Sequence, residues 1–187
     1  DGHYHRATHV TFRQFMNGAL KGEIAAYEPT MGDWTNHLST LFPDVRLKRF
    51  LEMRGADGGP WRRICALPAF WVGLLYDDAA LQAADELTKD WGFAEVNALR
   101  NVVPDEGLKA TFRGHALIET AREVINISRA GLKARNRLNG DGVDESIFLA
   151  PLDEVLAKKA TLAEDLLSLY HGRWNGSVEP VFEDYQY

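Results

Sequence analysis

The chain has 187 residues, 45% hydrophobic and 26% charged, which suits one large domain or two small ones and excludes a disordered polymer. A formal net charge of −6 argues against a general nucleic-acid binder, since phosphate contacts need clustered Lys and Arg. The lone Cys65 excludes an internal disulfide and suggests a reducing compartment.

The N-terminus, Asp1-Gly2-His3-Tyr4-His5-Arg6, has no signal-peptide pattern and no initiator Met, so the chain reads as a piece of something longer. His3, His5 and His9 lie close together, but no fourth ligand follows at a zinc spacing, which makes a metal site there the weaker reading. Thr11 with Gln14 has capping-box form, and Phe12, Phe15 and Met16 follow on one helical face up to Gly18. Thr30 and Asp33 form a second, weaker cap ahead of Trp34, His37, Leu38 and Leu41, spaced as one helix face, and Pro43 ends that run. From Val45 to Arg54 the pattern changes to period 2 and predicts a strand. Val45, Leu47, Arg49, Leu51 and Met53 share one face, and Arg46, Lys48, Phe50, Glu52 and Arg54 the other. Gly55 to Arg63 reads as a glycine-rich loop.

Helical spacing begins at Pro68, which can occupy a first turn, and Phe70, Trp71, Val72, Leu74 and Leu75 make that helix buried. Asp77 or Asp78 caps a helix running towards Trp91, and a short helix is predicted from Ala94 to Asn101, before Pro104. The longest runs from about Ala116 to Leu138, with Leu117, Ala121, Val124, Ile125, Ser128 and Leu132 on one face. Asn139-Gly140-Asp141-Gly142 is a break, and Thr161 with Glu164 is the best capping box, opening a helix through Tyr170. No run reaches the roughly 18–20 apolar residues of a membrane helix, and the longest, Ile64 to Tyr76, contains Pro68. The fold class is α+β, mostly helical with one or a few antiparallel strands. The strand-bearing part lies at about 1–65 and the helical part at about 66–187. One strand cannot form a sheet alone, so it needs partners from elsewhere in a longer chain.

The charged strand face is the first place to look for chemistry. Glu52 between Lys48 and Arg54 can hold Mg²⁺ while Arg54 takes a carboxylate or phosphoryl oxygen, an arrangement suited to phosphoryl transfer. The plain alternative is a solvent-facing strand with cross-strand salt bridges. The glycine-rich loop carries Arg62 and Arg63 but matches neither phosphate-loop nor dinucleotide motifs, so a surface turn competes with an anion site. Cys65 has no visible base and reads as a buried apolar residue. Arg122, Arg129, Lys133, Arg135 and Arg137 read as a solvated helix face, with an acidic partner as the alternative.

The run from Val45 through Glu52-Met53-Arg54-Gly55-Ala56-Asp57-Gly58-Gly59-Pro60-Trp61-Arg62-Arg63 to Asp77 closely resembles the plant and alphaproteobacterial type of glutamate–cysteine ligase. The resemblance extends upstream through Thr11-Phe12-Arg13-Gln14-Phe15 and Asp33-Trp34, Asn36-His37-Leu38, and reaches Pro180-Val181-Phe182-Glu183 and the final Tyr. It implies the C-terminal portion of a ligase catalytic domain with a glutamine synthetase-like fold, whose antiparallel sheet cups the site. It also implies an ATP- and Mg²⁺-dependent first step of glutathione synthesis, in which the γ-carboxylate of glutamate is phosphorylated and the amine of cysteine attacks the acyl phosphate. Carried onto this sequence, the family's Glu-x-Arg strand makes Glu52 the metal ligand and Arg54 the contact to glutamate or the phosphoryl group. Lys48 is a further catalytic candidate and Arg46 a further substrate-binding one, while Trp61, Arg62 and Arg63 are wall residues. Plant members carry a regulatory cysteine pair where Ala7 and Gly22 stand here, so that redox switch is expected to be absent, which favours a bacterial source and the cytoplasm. The expected partners are glutamate, cysteine, ATP and the remainder of a longer chain, with no nucleic acid, no membrane and an oligomer open. The piece alone is expected to have little activity. The rival readings are a helical scaffold without catalysis and a glutamate–amine ligase with another acceptor.

Overall fold

The computed structural model describes residues 4–24, 28–56 and 58–185. The chain divides into two compact units, Asp1–Ala56 and Asp57–Tyr187. His3, Asp57 and the final Tyr187, each named in the sequence reading, lie outside the described residues.

The first unit has two short helices and a hairpin. Helix α1, Phe12–Met16, starts where its capping box predicts: Gln14 N–H donates to the Thr11 hydroxyl, and the Gln14 side chain accepts from Thr11 N–H at 2.8 Å. Helix α2, Met31–Ser39, is capped in the same way by Thr30 and Asp33. Phe12 stacks on His37 at a centroid distance of 4.5 Å and tilts against Trp34 at 5.1 Å, so aromatic contact joins the two helices. The predicted single strand is instead two strands, β1 (Val45–Leu47) and β2 (Leu51–Met53), paired antiparallel with Arg46 opposite Glu52. Lys48, Arg49 and Phe50 make the connection, which Lys48 N–H closes by donating to Phe50 O at 2.9 Å. The alternation continues through those three residues, and none of them is a usual turn former, which is why the pattern looks unbroken. Val45, Leu47 and Leu51 are exposed, Leu47 by 79%, so the apolar face of the ribbon is uncovered.

The second unit is helical. Helix α3 spans Trp61–Leu75, seven residues earlier than the proline rule predicts, with Pro68 inside it. An interior proline costs about 3 kcal/mol through its missing N–H and ring clash. Here packing offsets that cost, because Ala66, Ala69, Gly73 and Leu74 of the same helix are buried. Helix α4, Asp78–Thr88, is capped by Asp77, which accepts from Ala80 N–H at 2.9 Å. Helix α5, Phe93–Glu106, again runs through a proline, Pro104, where a stop was expected.

A second small sheet follows, which the sequence reading missed: β3 (Thr111–Phe112) pairs antiparallel with β4 (His115–Ala116). Its two-residue turn, Arg113-Gly114, has positive φ at both positions, 50° and 84°, as hairpin turns matching strand twist require. Phe112 is buried edge-on against Trp91 at 4.9 Å. Helix α6, Leu117–Arg135, then crosses the core and ends at Asn136, which adopts the left-handed conformation. A 3₁₀ segment, Glu145–Leu149, leads into α7 (Ala150–Lys158). The Thr161–Glu164 capping box opens α8 (Leu162–His171), and a last turn, α9, spans Val181–Asp184.

The core sits where α3 crosses α6. Ala69, Leu132 and Leu149 are buried together, with Phe70, Val72 and Leu152 packed against them. At the crossing the backbones touch: a Cβ on Gly131 would lie 1.9 Å from Gly73 O, and one on Gly73 would lie 2.2 Å from Ser128 O. Ser128, fully buried, donates its hydroxyl to Phe70 O at 2.9 Å, so no buried polar atom is stranded there. Among the described residues no single helix is long and apolar enough to cross a membrane.

Candidate functional site

The hairpin of the first unit brings three of the four predicted site residues together. Antiparallel pairing sets Arg46 directly across from Glu52, and Arg54 stands two residues on, on the same side of the ribbon. Arg46 Nε donates to Glu52 Oε2 at 2.7 Å, and Arg54 Nη1 donates to the same oxygen at 3.3 Å. Arg54 is anchored by its backbone as well, its N–H reaching Asp44 O at 2.8 Å. All three side chains are partly covered, Glu52 remaining 31% exposed. Lys48 is not on a common strand face with Glu52 and Arg54 as expected, because it sits in the connection. It acts on Glu52 only as a more distant charge.

This set is unequal in charge, with one carboxylate facing Arg46 and Arg54 and Lys48 nearby. The hydrogen bond from Arg46 is the main cause that holds the Glu52 carboxyl below the ordinary carboxylate range; partial desolvation opposes it, and the bond from Arg54 and the charges of Arg46 and Lys48 reinforce it. Glu52 therefore stays ionised until pH falls below the usual glutamate value. Its ion pairs are intact above that value and are lost as pH falls through the lowered one. Removing Arg46 as Arg46→Gln is expected to raise the Glu52 pKa, read by side-chain carboxyl NMR through an acid titration; an unchanged midpoint would mean Arg46 does not hold it.

Glu52 Oε1 has no partner among the described residues, so one hard oxygen is open to a cation, as Mg²⁺ prefers. Among the described residues no group of three or more His, Cys, Asp or Glu gathers, at Glu52 or elsewhere. A metal here would have Glu52 as its one carboxylate ligand among the described residues, with Oε1 the oxygen not already bonded to an arginine.

Arg62, expected as a wall residue, has a partner within the helical unit. The predicted loop ends at Pro60, so Trp61, Arg62 and Arg63 form the first turn of α3. There Arg62 grips Glu154 of α7 through both guanidinium nitrogens, at 2.6 and 3.2 Å, tying α3 to α7. Two cations of the long helix also have structural partners: Arg129 pairs with Asp153 at 2.5 Å, and Arg135 pairs with Glu145 at 3.1 Å while lying over Tyr76. Cys65 is half-buried rather than buried. His9 contacts Glu23 at 3.3 Å.

The polar face of the ribbon thus sets two guanidinium groups against one carboxylate. Comparison with known proteins gives the chain a family. Residues 5–184 match the model of glutamate-cysteine ligase family 2, and the chain belongs to that family. It is 51% identical over 184 residues to the chloroplastic glutamate–cysteine ligase of Solanum lycopersicum, covering 98% of this chain and 34% of that protein. It is 53% identical over 187 residues to the Arabidopsis thaliana counterpart, with the same two shares. Against the Nicotiana tabacum enzyme it is 52% identical over 178 residues. The chain thus spans about a third of the length of the curated relatives it matches. The cytoplasmic setting expected from the sequence is overturned by these names, which place the relatives in chloroplasts.

Proposed function

We propose that this chain is the C-terminal portion of the catalytic domain of a glutamate–cysteine ligase, which joins the γ-carboxylate of glutamate to the amine of cysteine with ATP, as the first step of glutathione synthesis. The observation that carries the reading is the Arg46–Glu52–Arg54 cluster on a ribbon within a chain of this family. In this reading both units, Asp1–Ala56 and Asp57–Tyr187, belong to that one catalytic domain. The ribbon joins a larger antiparallel sheet of glutamine synthetase type, which its uncovered apolar face and unpaired edges favour. The relatives' chloroplast setting is the compartment we infer for the reaction.

Glu52 is the residue here that holds Mg²⁺, and the ion, when bound, offsets charge on the phosphates. Arg54 binds the glutamate carboxylate or the transferring phosphoryl oxygens through two guanidinium nitrogens, and Arg46 is a second contact to the same anionic groups. Lys48, at the tip of the ribbon, adds positive charge to the rim. Transfer moves the γ-phosphoryl group of ATP onto the glutamate γ-carboxylate, releasing ADP. The cysteine amine then attacks the acyl carbon, phosphate departs with the bonding pair, and the amine loses its proton. Guanidinium groups fixed by the ribbon stabilise charge as it accumulates without having to reorganise.

The test is trapping of the acyl phosphate. The longest natural chain carrying this segment, given Mg-ATP, glutamate and hydroxylamine without cysteine, is expected to form γ-glutamyl hydroxamate, measured by its ferric complex. Folded, full-length chain that forms no hydroxamate while releasing ADP would contradict an activated γ-carboxylate.

A further inference from the structure

The arrangement of the ribbon says how its two kinds of ligand must affect each other. Arg46 Nε and Arg54 Nη1 both draw on the single oxygen Oε2 of Glu52, at 2.7 and 3.3 Å. The polar face therefore holds two guanidinium groups against one carboxylate, with Lys48 adding to the excess. A divalent cation at Glu52 uses the same negative charge that orders the two arginines. If it takes both carboxylate oxygens, it displaces them; if it takes Oε1 alone, it weakens both of their bonds by neutralising the group they face. An anion that engages Arg46 and Arg54 does the converse, withdrawing two positive competitors from Glu52. Because binding free energies are linked, each ligand must strengthen the other by the same factor.

We propose that Arg46, Glu52 and Arg54 form a charge-exchange device that makes binding of Mg²⁺ and of the anionic substrate group cooperative, with Arg46 carrying most of the coupling. The proposal rests on Glu52 being a metal ligand and adds what the arginines do to that metal. Arg46 carries the larger share because its bond is the shorter and because strand pairing fixes it opposite Glu52. Arg54, just past the end of β2, reaches the same oxygen and is the one freed to grip substrate. The device also explains why a cationic face can accept a cation at all: the arginines turn from the carboxylate to the anion as the ion arrives.

The test is Mn²⁺ binding to the longest natural chain carrying this segment, read by electron paramagnetic resonance of free Mn²⁺ with and without saturating L-glutamate, in the absence of ATP. In the wild type, glutamate is expected to tighten Mn²⁺ about tenfold, within the usual span of coupling between sites. Arg46→Gln is expected to bind Mn²⁺ alone about threefold or more tighter than wild type, because a competing cation is gone, and to lose most of the glutamate effect. A purely structural arginine gives the opposite sign, since its loss would loosen Glu52 and weaken the metal. Arg46→Lys retains the charge and is expected to restore part of the coupling; should Arg46→Gln fail to fold by circular dichroism, Arg46→Lys decides alone, with coupling of full wild-type size counting against the proposal. Unchanged coupling in Arg46→Gln, or weaker Mn²⁺ binding there, overturns it. Glu52→Gln separates the two levels: if it loses Mn²⁺ affinity while wild type shows no glutamate effect, the metal reading stands and the coupling fails. If it binds Mn²⁺ as wild type does, both fail.

Discussion

Replacing Gly131 by alanine is expected to destabilise the helical unit by about 3 kcal/mol, the upper part of the usual range for forcing volume into a packed core. Its added methyl would sit 1.9 Å from Gly73 O and 2.9 Å from the Ala80 side chain. The first neighbour is backbone, which cannot turn aside as a flexible side chain could. Relief therefore requires α3 and α6 to separate, and separation stretches the 2.9 Å bond from the Ser128 hydroxyl to Phe70 O. For a chain of this size the loss corresponds to a fall of roughly 6–12 °C in the thermal midpoint followed by far-UV circular dichroism. Gly140→Ala is the control, because a Cβ there meets nothing within 4 Å, and its effect should stay within about 0.5 kcal/mol. A midpoint for Gly131→Ala indistinguishable from the control would mean that the two helices are not in backbone contact.

The second large effect is expected at Arg54. Arg54→Ala removes a guanidinium that the ribbon holds in place twice, by its backbone on Asp44 and its side chain on Glu52. Loss of one fixed donor at a site where anionic charge accumulates typically costs about 10²–10³ in rate. The measurement is kcat/KM for glutamate in the full natural chain at saturating Mg-ATP. Arg54→Lys keeps the charge and loses the two-pronged geometry, so it should recover only part of the deficit. A thermal midpoint close to wild type in both variants separates this loss from simple unfolding. If Arg54→Ala turns over normally, Arg54 serves only the ribbon's salt bridge and not the chemistry.

What could be read from the sequence depended on the range of the interactions involved. The three threonine caps were legible because Thr11–Gln14, Thr30–Asp33 and Thr161–Glu164 are complete within four residues. The common face of Arg46, Glu52 and Arg54 was legible too, since period 2 survives whether the segment is one strand or a ribbon. The position of Lys48 was not, because the fold-back at Lys48-Arg49-Phe50 leaves the alternation intact. Pro68 and Pro104 were read as boundaries on local propensity, and α3 and α5 run through them because a proline in the sequence says nothing of the neighbours that compensate it. The strands of the second hairpin, two residues each, are too short to show alternation, and only the glycine at 114 marked the turn. The bond between Arg62 and Glu154 joins residues 92 positions apart, and no spacing rule reaches that far. The family resemblance, by contrast, needed only the residues themselves, and the match over 5–184 bears it out.

The central claim is that this segment works inside a glutamate–cysteine ligase through Glu52. The most direct measurement is ADP release by the longest natural chain carrying the segment, with Mg-ATP and glutamate, with and without cysteine, in wild type and Glu52→Gln. The account predicts cysteine-dependent release in the wild type that falls by at least about a hundredfold in a folded Glu52→Gln variant, as loss of a charge-stabilising group at the reacting centre should produce. Equal, cysteine-dependent release in both would remove Glu52 from the chemistry. No release from folded wild-type chain would contradict the ligase reading itself.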